Sequence, residues 1–268
     1  MAVKIAIHGA AGRMGQSIAQ VIHETEGAAL VAAVDRAAVA GRALREFIGA
    51  AGAEITIEDS LDRALEVTDV IIDFTLPDAT AKLLESAARS KAKIVIGTTG
   101  LTDETEALIR DRAQDRAVVY APNYSQGVTA LFYLAELAAK LMGPAFDAEI
   151  IEMHHRMKVD SPSGTALKLL EVVAEAKGLS ARDDRVTGRD GQVGARTDRE
   201  IGVMALRGGD VVGEHTLYLS GLGERLELTH RATDRMIFAR GAVRAALFAA
   251  NQTPGLYDMF DVMGIERS

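Results

Sequence analysis

The chain has 268 residues, 48% hydrophobic and 25% charged, a composition that excludes disordered and fibrous proteins and allows one large or two modest domains. Its formal net charge of −8 makes nucleic acid and anionic membrane surfaces poor partners. It contains no cysteine, which excludes disulfides, thiolate zinc sites, iron–sulfur clusters and cysteine nucleophiles.

The first 125 residues alternate short apolar runs with helical patterns. The apolar runs predict strands at residues 3–7, 30–34, 70–74, 93–96 and 117–120. The helical patterns cover residues 13–24, 77–90 and 102–113. Strands separated by helices indicate βαβ units and a parallel sheet, so the fold class is α/β. Residues 37–59 show no pattern that assigns them.

The pattern changes after residue 120. A long apolar helix is predicted over residues 128–142, ending at Gly143-Pro144, and a second helix near Gly164. Strands are predicted at residues 146–153, 201–206, 211–220 and 225–230. Several strands without intervening helices indicate an open mixed or antiparallel sheet, and hence a second domain of α+β type. An apolar helix at residues 239–250 is placed to pack back on the first domain.

Residues 182–199 contain five arginines, four aspartates and three glycines with almost no apolar residues. This composition predicts a flexible, solvated surface loop. The alternative is a mobile basic flap near an anionic substrate.

The terminal and apolar segments indicate a cytoplasmic protein. The N-terminal apolar run is too short for a signal peptide. The apolar stretch 128–142 is shorter than the roughly 20 residues of a membrane-spanning helix.

A glycine-rich loop follows the first predicted strand. Residues 9–15 read Gly-Ala-Ala-Gly-Arg-Met-Gly, so the glycines are spaced G-x-x-G-x-x-G instead of the usual G-x-G-x-x-G. Small residues there allow a tight turn, and the next helix directs its N-terminus at a pyrophosphate. Asp35 ends the second strand, where it can accept hydrogen bonds from a ribose, and Arg36 can hold a 2′-phosphate. A turn that uses glycine for structure alone is the alternative.

Two more polar loops follow predicted strands, at residues 97–100 and 121–125. Each alone is typical of an ordinary turn. Because both lie at the same sheet edge as the glycine loop, they favour contacts with the nicotinamide and its ribose.

The densest polar cluster is residues 152–165. Adjacent side chains on an extended chain point in opposite directions, so His154 and His155 should serve different purposes. Their spacing does not suit a metal site. Basic residues next to a serine- and glycine-rich helix start indicate a pocket for a carboxylate. His154 and Lys158 are the pair suited to proton delivery.

These motifs, together with Gly-Glu-His-Thr at residues 213–216, resemble the 4-hydroxy-tetrahydrodipicolinate (dihydrodipicolinate) reductase family. The likeness runs from residue 3 to about residue 263. It implies a Rossmann domain at 1–125, completed by 235–268, and a substrate-binding and oligomerisation domain at 126–234. It also implies a homotetramer that reduces a cyclic dicarboxylate with NADH or NADPH on the diaminopimelate route to lysine.

The resemblance assigns a role to individual residues. It makes His154 the proton donor and acceptor and Lys158 a proton donor. It assigns substrate binding to His155, Gly164 and Thr165. The residues it places along the cofactor are Gly9, Ala10, Ala11, Gly12, Arg13, Met14, Asp35, Arg36, Gly97, Thr98, Thr99, Ala121, Pro122, Asn123 and Tyr124. Asp35 stands where some relatives have glutamate, which leaves the preference between NADH and NADPH open, and Tyr124 stands where some have phenylalanine.

Two other functions fit the first domain. One is an NAD(P)-dependent dehydrogenase of another small carboxylic or amino acid. The other is a dinucleotide sensor without catalysis, which would need a partner surface or a basic recognition helix and would not need His154 and Lys158.

Overall fold

The structure is a computed structural model that describes residues 1–49 and 55–266. The chain divides into unit 1, made of Met1–Gln126 and Met236–Ser268, and unit 2, made of Gly127–Arg235. Within the described ranges, unit 1 contains a seven-stranded sheet and unit 2 a five-stranded sheet. The predicted fold class, a parallel α/β sheet with a second domain built on an open mixed sheet, is confirmed.

The N-terminal part of unit 1 alternates strands and helices. Its strands are β1 (Val3–His8), β2 (Ala28–Val34), β3 (Ile57–Glu58), β4 (Val70–Asp73), β5 (Lys93–Ile96) and β6 (Ala117–Tyr120). Its helices are α1 (Arg13–Glu24), α2 (Arg45–Ile48), α3 (Leu61–Val67), α4 (Pro77–Ala87) and α5 (Asp103–Arg112). Every strand and helix predicted here is present, and their ends differ by a few residues. Helix α2 and strand β3 lie in the stretch that the sequence pattern left unassigned.

Unit 2 contains the middle of the chain. Its helices are α6 (Gln126–Met142) and α7 (Gly164–Lys177). Its strands are β7 (Asp147–His154), β8 (Arg185–Val186), β9 (Ile201–Arg207), β10 (Gly213–Ser220) and β11 (Arg225–Ala232). They lie in the order β11-β10-β7-β9-β8, with β10 antiparallel to β7 and β11, and β9 parallel to β7 and β8. Alternate residues of β7 are buried, among them Glu152 and His154, on a face that otherwise holds apolar side chains.

The last elements return to unit 1. They are α8 (Met236–Ala250), β12 (Gly255–Tyr257) and α9 (Met259–Met263). Strand β12 pairs in parallel with β6 at one edge of the sheet, and α8 packs against α1, β4 and β5. Both faces of the sheet are therefore buried, which explains why its strands are continuous apolar runs.

The strand order of unit 1 is β12-β6-β5-β4-β1-β2-β3, and all the pairings are parallel. From β1 the chain moves to β2 on one side and later returns to β4 on the other. The order therefore reverses between β1 and β4. Open α/β sheets bind ligands beyond the carboxyl ends of the strands at such a point. The strands end there at His8 and Asp73.

Residues 182–199 are mostly exposed, as predicted for a solvated surface loop, but they also contain a short strand and ion pairs. Part of this segment forms β8, which pairs with β9. The guanidinium of Arg189 donates to both carboxylate oxygens of Glu149 at 3.0 and 2.8 Å, and that of Arg196 donates to Asp147 at 2.8 Å. Two of the five arginines of the segment, Arg189 and Arg196, are thus paired with acidic residues of β7, an arrangement that composition alone does not reveal.

Helix α6 and the turn after it form a continuous segment over residues 126–145. By length and composition this segment could span a membrane, although the apolar run in the sequence is shorter. One such helix is weak evidence, since a core helix of a globular unit has the same properties. Within it, Lys140 forms an ion pair with Glu136, one turn earlier.

Candidate active site

A cleft of about 750 Å³ opens at the carboxyl ends of β1, β2 and β4 in unit 1. Five of the predicted cofactor-binding residues line it: Gly9, Ala11, Gly12, Asp35 and Arg36. Sequence reasoning did not predict the other lining residues, which include His8, Asp59, Phe74, Thr75, Leu76, Ala79 and Lys82. A larger cleft of about 910 Å³ lies at the opposite edge of the sheet, around Lys4 and Lys93, and the residues that define it include no predicted site residue.

The glycine loop is shaped by close backbone contacts. Gly9 has a φ of +86°, and a Cβ there would lie 2.8 Å from the carbonyl oxygen of Phe74. A Cβ on Gly15 would lie 2.1 Å from the carbonyl oxygen of Gly9. Helix α1 begins after Gly12 without a side-chain cap, so its N-cap residue places no side chain over the amides of the first turn. The loop and the helix start therefore fit the pyrophosphate of a dinucleotide.

The carboxylate of Asp35 holds the loop as well as facing the cleft. One oxygen accepts the backbone N–H of Ala11 at 2.8 Å, and the other accepts the backbone N–H of Arg36 at 2.8 Å. Each oxygen retains capacity for a further donor, such as a ribose hydroxyl. The arginine side chain shares the cleft with this carboxylate.

The remaining predicted cofactor residues do not line this cleft. Thr98 is buried, and its hydroxyl donates to Asp73 at 3.0 Å while accepting the backbone N–H of Thr75 at 3.0 Å. Tyr124 is also buried, and its hydroxyl donates to the carbonyl of Ile96 at 2.8 Å. Burial raises the pKa of Tyr124 well above its ordinary value. The others outside the cleft are Ala10, Arg13, Met14, Gly97, Thr99, Ala121, Pro122 and Asn123.

Asp73 is a residue of this edge that the sequence analysis did not select. It is fully buried at the end of β4 and accepts hydrogen bonds from the hydroxyls of Thr75 at 2.7 Å and Thr80 at 2.5 Å, besides that of Thr98. It therefore ties the loop after β5 to the loop after β4. The sequence does contain a signal for this residue, because Asp73 is the polar last residue of the apolar strand β4.

In unit 2, the polar cluster centres on Glu152, whose side chain is 0% exposed. Its carboxylate accepts Nδ1–H of His154 at 2.7 Å, the backbone N–H of Ser163 at 2.9 Å, and two N–H groups of Arg207 at 2.8 and 3.0 Å. Burial opposes ionisation of Glu152, but the hydrogen bonds from Arg207, His154 and Ser163 outweigh it and lower its pKa. Sequence reasoning gave no role to Glu152 or Arg207.

His154 ends β7 and is 9% exposed. Burial lowers its pKa, and the hydrogen bond to Glu152 opposes this shift in part. Its Nε2 lies 3.0 Å from the position that a Cβ on Gly213 would take, so the glycine leaves room for this side of the ring. His155, the next residue, is partly exposed, consistent with the opposite directions expected for neighbouring side chains.

Lys158 lies in the loop after β7. Its Nζ is 2.9 Å from Asp160 Oδ1, and the hydrogen bond from Lys158 lowers the pKa of that aspartate. The guanidinium of Arg207 also donates to the backbone carbonyl of Asp160 at 2.7 Å. The loop that carries the predicted proton donor is thus held by the arginine that also binds Glu152.

Helix α7 begins next to this loop. The hydroxyl of Ser163 accepts the backbone N–H of Ala166 at 3.2 Å, which caps the helix, and lies 3.0 Å from His215 Nε2. Burial lowers the pKa of His215 to about 4, so this imidazole is neutral near pH 7. Gly164 and Thr165 form the first turn, where backbone N–H groups suit an anion. The structure therefore brings His154, Lys158, Gly164 and Thr165 into the same part of unit 2.

Comparison with known proteins identifies relatives across nearly the whole chain. The profile described as dihydrodipicolinate reductase, N-terminus, matches residues 3–124, and its C-terminus counterpart matches residues 127–263. Proteins named 4-hydroxy-tetrahydrodipicolinate reductase from Syntrophotalea carbinolica and Alkalilimnicola ehrlichii are each 48% identical, covering 98% and 99% of this chain and 100% of each relative. A dipicolinate-bound dihydrodipicolinate reductase structure from Paenisporosarcina sp. TG-14 matches with a TM-score of 0.75 and 27% identity, covering 97% of this chain and 99% of that one.

Proposed function

The chain belongs to the dihydrodipicolinate reductase family, and from this premise we propose how its residues reduce 4-hydroxy-tetrahydrodipicolinate with NADH or NADPH. The reaction yields tetrahydrodipicolinate with loss of water, on the diaminopimelate route to lysine. The family assignment predicted from the sequence motifs is confirmed. The roles of individual residues are our proposal.

Unit 1 is the dinucleotide-binding domain. The cleft, the uncapped start of α1 and the backbone contacts around Gly9 and Gly15 fit a bound dinucleotide. When bound, this cofactor supplies the hydride. Among the chain's own residues, the carboxylate of Asp35 accepts hydrogen bonds from the ribose, and Arg36 pairs with a 2′-phosphate when one is present. The loops at 97–99 and 121–124 lie outside this cleft at the same sheet edge, and their proposed contacts are with the nicotinamide and its ribose.

Unit 2 is the substrate-binding domain. The start of α7 offers backbone N–H groups and the hydroxyl of Thr165 to one carboxylate of the cyclic substrate. His155 and Lys158 add hydrogen-bond donors that favour a dianion. This assignment rests on the polar loop between β7 and α7, where the helix start and the two basic residues occur within ten positions.

Proton transfer is the role of His154 and Lys158. Because the carboxylate of Glu152 can only accept, His154 carries its proton on Nδ1 and leaves Nε2 as the basic atom. Lys158 donates a proton as negative charge develops in the substrate. The observation that carries the proposal is the buried Glu152–His154 pair beside the start of α7 in a chain matched by the family over its length.

The direct test is cofactor oxidation with freshly generated substrate. We expect NADPH and NADH absorbance to fall only when substrate is present. Dipicolinate, which presents two carboxylates without a reducible bond, should inhibit competitively against substrate. Oxidation of NADPH or NADH with another small acid, but not with this substrate, would favour a different dehydrogenase. Dinucleotide binding without cofactor oxidation by any substrate would favour a dinucleotide sensor without catalysis.

We also propose that the protein is a cytoplasmic homotetramer assembled through unit 2. Its five-stranded sheet is open and has an exposed edge strand, β11. Light scattering after size-exclusion chromatography should give four times the 28.5 kDa chain mass. A monomer at assay concentration would refute the assembly without affecting the proposed reaction.

Arg36→Ala should impair NADPH use selectively. The change removes a charge-assisted contact with the 2′-phosphate worth roughly 1.5–3 kcal/mol, so the KM for NADPH should rise about tenfold or more. The KM for NADH should stay near the wild-type value. Steady-state kinetics with both cofactors measure this, with Arg45→Ala, an exposed arginine outside the cleft, as the control. An equal rise for both cofactors would disprove the assignment.

Thr165→Val should weaken substrate binding alone. The valine keeps the shape of the side chain but removes the hydroxyl proposed to bind a carboxylate. We expect the KM for substrate and the inhibition constant of dipicolinate to rise about tenfold or more, with unchanged NADPH affinity. Thr187→Val, which changes an exposed threonine outside β11 and outside the start of α7, is the matched control. If the variant bound dipicolinate as tightly as wild type does, the assignment of Thr165 to the carboxylate site would be wrong.

A further inference from the structure

Glu152 joins two parts of the site that the reaction requires. One carboxylate oxygen accepts Nδ1–H of His154, and the other accepts the backbone N–H of Ser163, which immediately precedes α7. The same buried group therefore contacts both the proton-transferring imidazole and the start of the helix that offers N–H groups to a substrate carboxylate.

The charge on Glu152 determines which nitrogen of His154 is protonated. An ionised carboxylate only accepts hydrogen bonds, so at 2.7 Å the imidazole must donate from Nδ1. In the neutral ring, Nε2 then holds the lone pair. Gly213 faces this atom, and a side chain there would lie 3.0 Å from it.

Arg207 keeps Glu152 ionised although the glutamate is fully buried. Its guanidinium donates to both carboxylate oxygens, at 2.8 and 3.0 Å, a geometry that strengthens the pair. A buried carboxylate without such a partner would favour its protonated form. The second contact of this arginine, to the carbonyl of Asp160, connects the pair to the loop that carries Lys158.

A second contact fastens the start of α7. The hydroxyl of Ser163 lies 3.0 Å from His215 Nε2, and the ring of His215 meets that of His154 edge to face, with centroids 5.1 Å apart. The backbone N–H and the hydroxyl of Ser163 therefore both contact buried side chains, those of Glu152 and His215. Movement of the helix start would disturb the same cluster that orients His154.

We propose that Glu152 is a positioning residue that fixes His154 as its Nδ1–H tautomer and holds the start of α7 in place, so that the proton-transferring nitrogen and the carboxylate site keep one geometry. The expected effect of Glu152 on turnover rests on the proposed function. Its effect on the tautomer of His154 does not, because the tautomer is a property of the folded chain alone.

The charged and titratable groups around His154 come from several elements. Glu152 lies on the same strand, Arg207 on β9, and His215 on β10 with His230 opposite it on β11. Lys158 and Asp160 lie in the loop after β7. Burial lowers the pKa of His154, Glu152 raises it, and Lys158 and Arg207 lower it. Loss of the carboxylate should therefore move the His154 titration to lower pH.

The test compares Glu152→Gln with Glu152→Asp. Glutamine keeps the shape of the side chain but replaces one of the two acceptor oxygens with an NH₂ group, which cannot accept a hydrogen bond. Aspartate keeps the charge and both oxygens on a shorter side chain. We expect Glu152→Gln to lower kcat by roughly 10–100-fold, the size of effect seen when the partner that orients a metal-bound histidine is lost. In the pH–rate profile of Glu152→Gln, the limb that reports the titration of His154 should also move to lower pH. Glu152→Asp should lie closer to wild type in both measurements. The reverse order, with glutamine closer to wild type, would show that the side chain only fills space and would overturn the proposal.

Glu149→Gln is the matched control. Glu149 lies on the same strand and also accepts two N–H groups from one arginine, Arg189, but it is one of the partly exposed residues that alternate with the buried ones. Its pH–rate profile should match that of wild type. A comparable shift in this variant would mean that any lost ion pair on β7 has the same effect, which would also overturn the proposal.

A second measurement does not depend on turnover. Two-bond ¹H–¹⁵N NMR spectra distinguish the tautomers of the six histidines, and the His154 signal is the one lost in His154→Gln. Wild type and Glu152→Asp should show the Nδ1–H form, and Glu152→Gln should gain the Nε2–H form. If the His154 signal in folded wild type showed the Nε2–H form, the proposal would be overturned. If Glu152→Gln does not fold, as judged by circular dichroism, wild type and Glu152→Asp still decide the question. Absence of reductase activity in wild type would refute the proposed function and leave the tautomer result standing.

Discussion

Replacing Lys158 with methionine should lower kcat by about 10²-fold or more, the size of general-acid effects. Methionine is nearly as long as lysine but carries no proton, so the pocket keeps most of its shape. If Lys158 donates as negative charge develops in the substrate, its contribution is larger in the transition state than in the bound ground state. The KM for substrate should therefore change much less than kcat. Steady-state kinetics at saturating NADPH measure both parameters.

The same assay separates Lys158 from its histidine neighbours. His154→Gln should also cut kcat, and it should flatten the pH–rate profile, because the titrating group at the end of β7 is removed. His155→Gln should mainly raise the KM for substrate. Lys168→Met, which removes an exposed lysine paired with Glu171 at 3.0 Å on α7, is the control for charge loss. If Lys158→Met and His154→Gln raise only the KM, both residues bind charge and neither moves a proton.

Gly15→Ala should disrupt the dinucleotide site and destabilise unit 1. The new Cβ would lie 2.1 Å from the carbonyl oxygen of Gly9 and 2.7 Å from Cα of Ala10. Both neighbours are backbone atoms, which cannot rotate away, so the loop must separate from α1. We expect a loss of about 2–3 kcal/mol in the free energy of unfolding, as for other overpacked sites. We also expect NADPH affinity to fall tenfold or more, since about 1.4 kcal/mol of lost contact suffices for that change.

Denaturant unfolding and NADPH titration measure these two effects. Gly188→Ala is the matched control, because a Cβ at Gly188 meets no atom within 4 Å and the residue has no positive φ. That variant should match wild type in both measurements. A Gly15→Ala protein with wild-type stability and affinity would contradict the close packing of the loop against α1.

The sequence predicts elements best where a local pattern determines them. Apolar runs identified the parallel strands because both faces of that sheet are buried, and the alternation of strands with helices identified the βαβ order. Residues 37–59 were not assigned, since their short strand and helix depend on neighbours such as β2 and not on local periodicity. Residues 50–54 of that stretch lie outside the described residues.

The candidate site was predictable to the extent that its residues are close together in the sequence. His154, Lys158, Gly164 and Thr165 occur in one segment, whose composition and family resemblance point to proton transfer and anion binding. Arg207 and His215 reach the same cluster from β9 and β10, more than 40 positions further along the chain. Sheet pairing brings them there, and a sequence pattern does not give the pairing. The same reason explains why the ion pairs of Arg189 and Arg196 with β7 were missed.

The position of β12 has a consequence for synthesis of the protein. This edge strand pairs with β6, and α8 covers β4 and β5, yet both come after the whole of unit 2 in the chain. On the ribosome, unit 2 therefore emerges complete while unit 1 still lacks its last strand and an interior helix. Domains generally fold as units during translation. The apolar surface that α8 will cover therefore stays exposed on the nascent N-terminal part while more than one hundred further residues are made, and aggregation is most favoured during this interval.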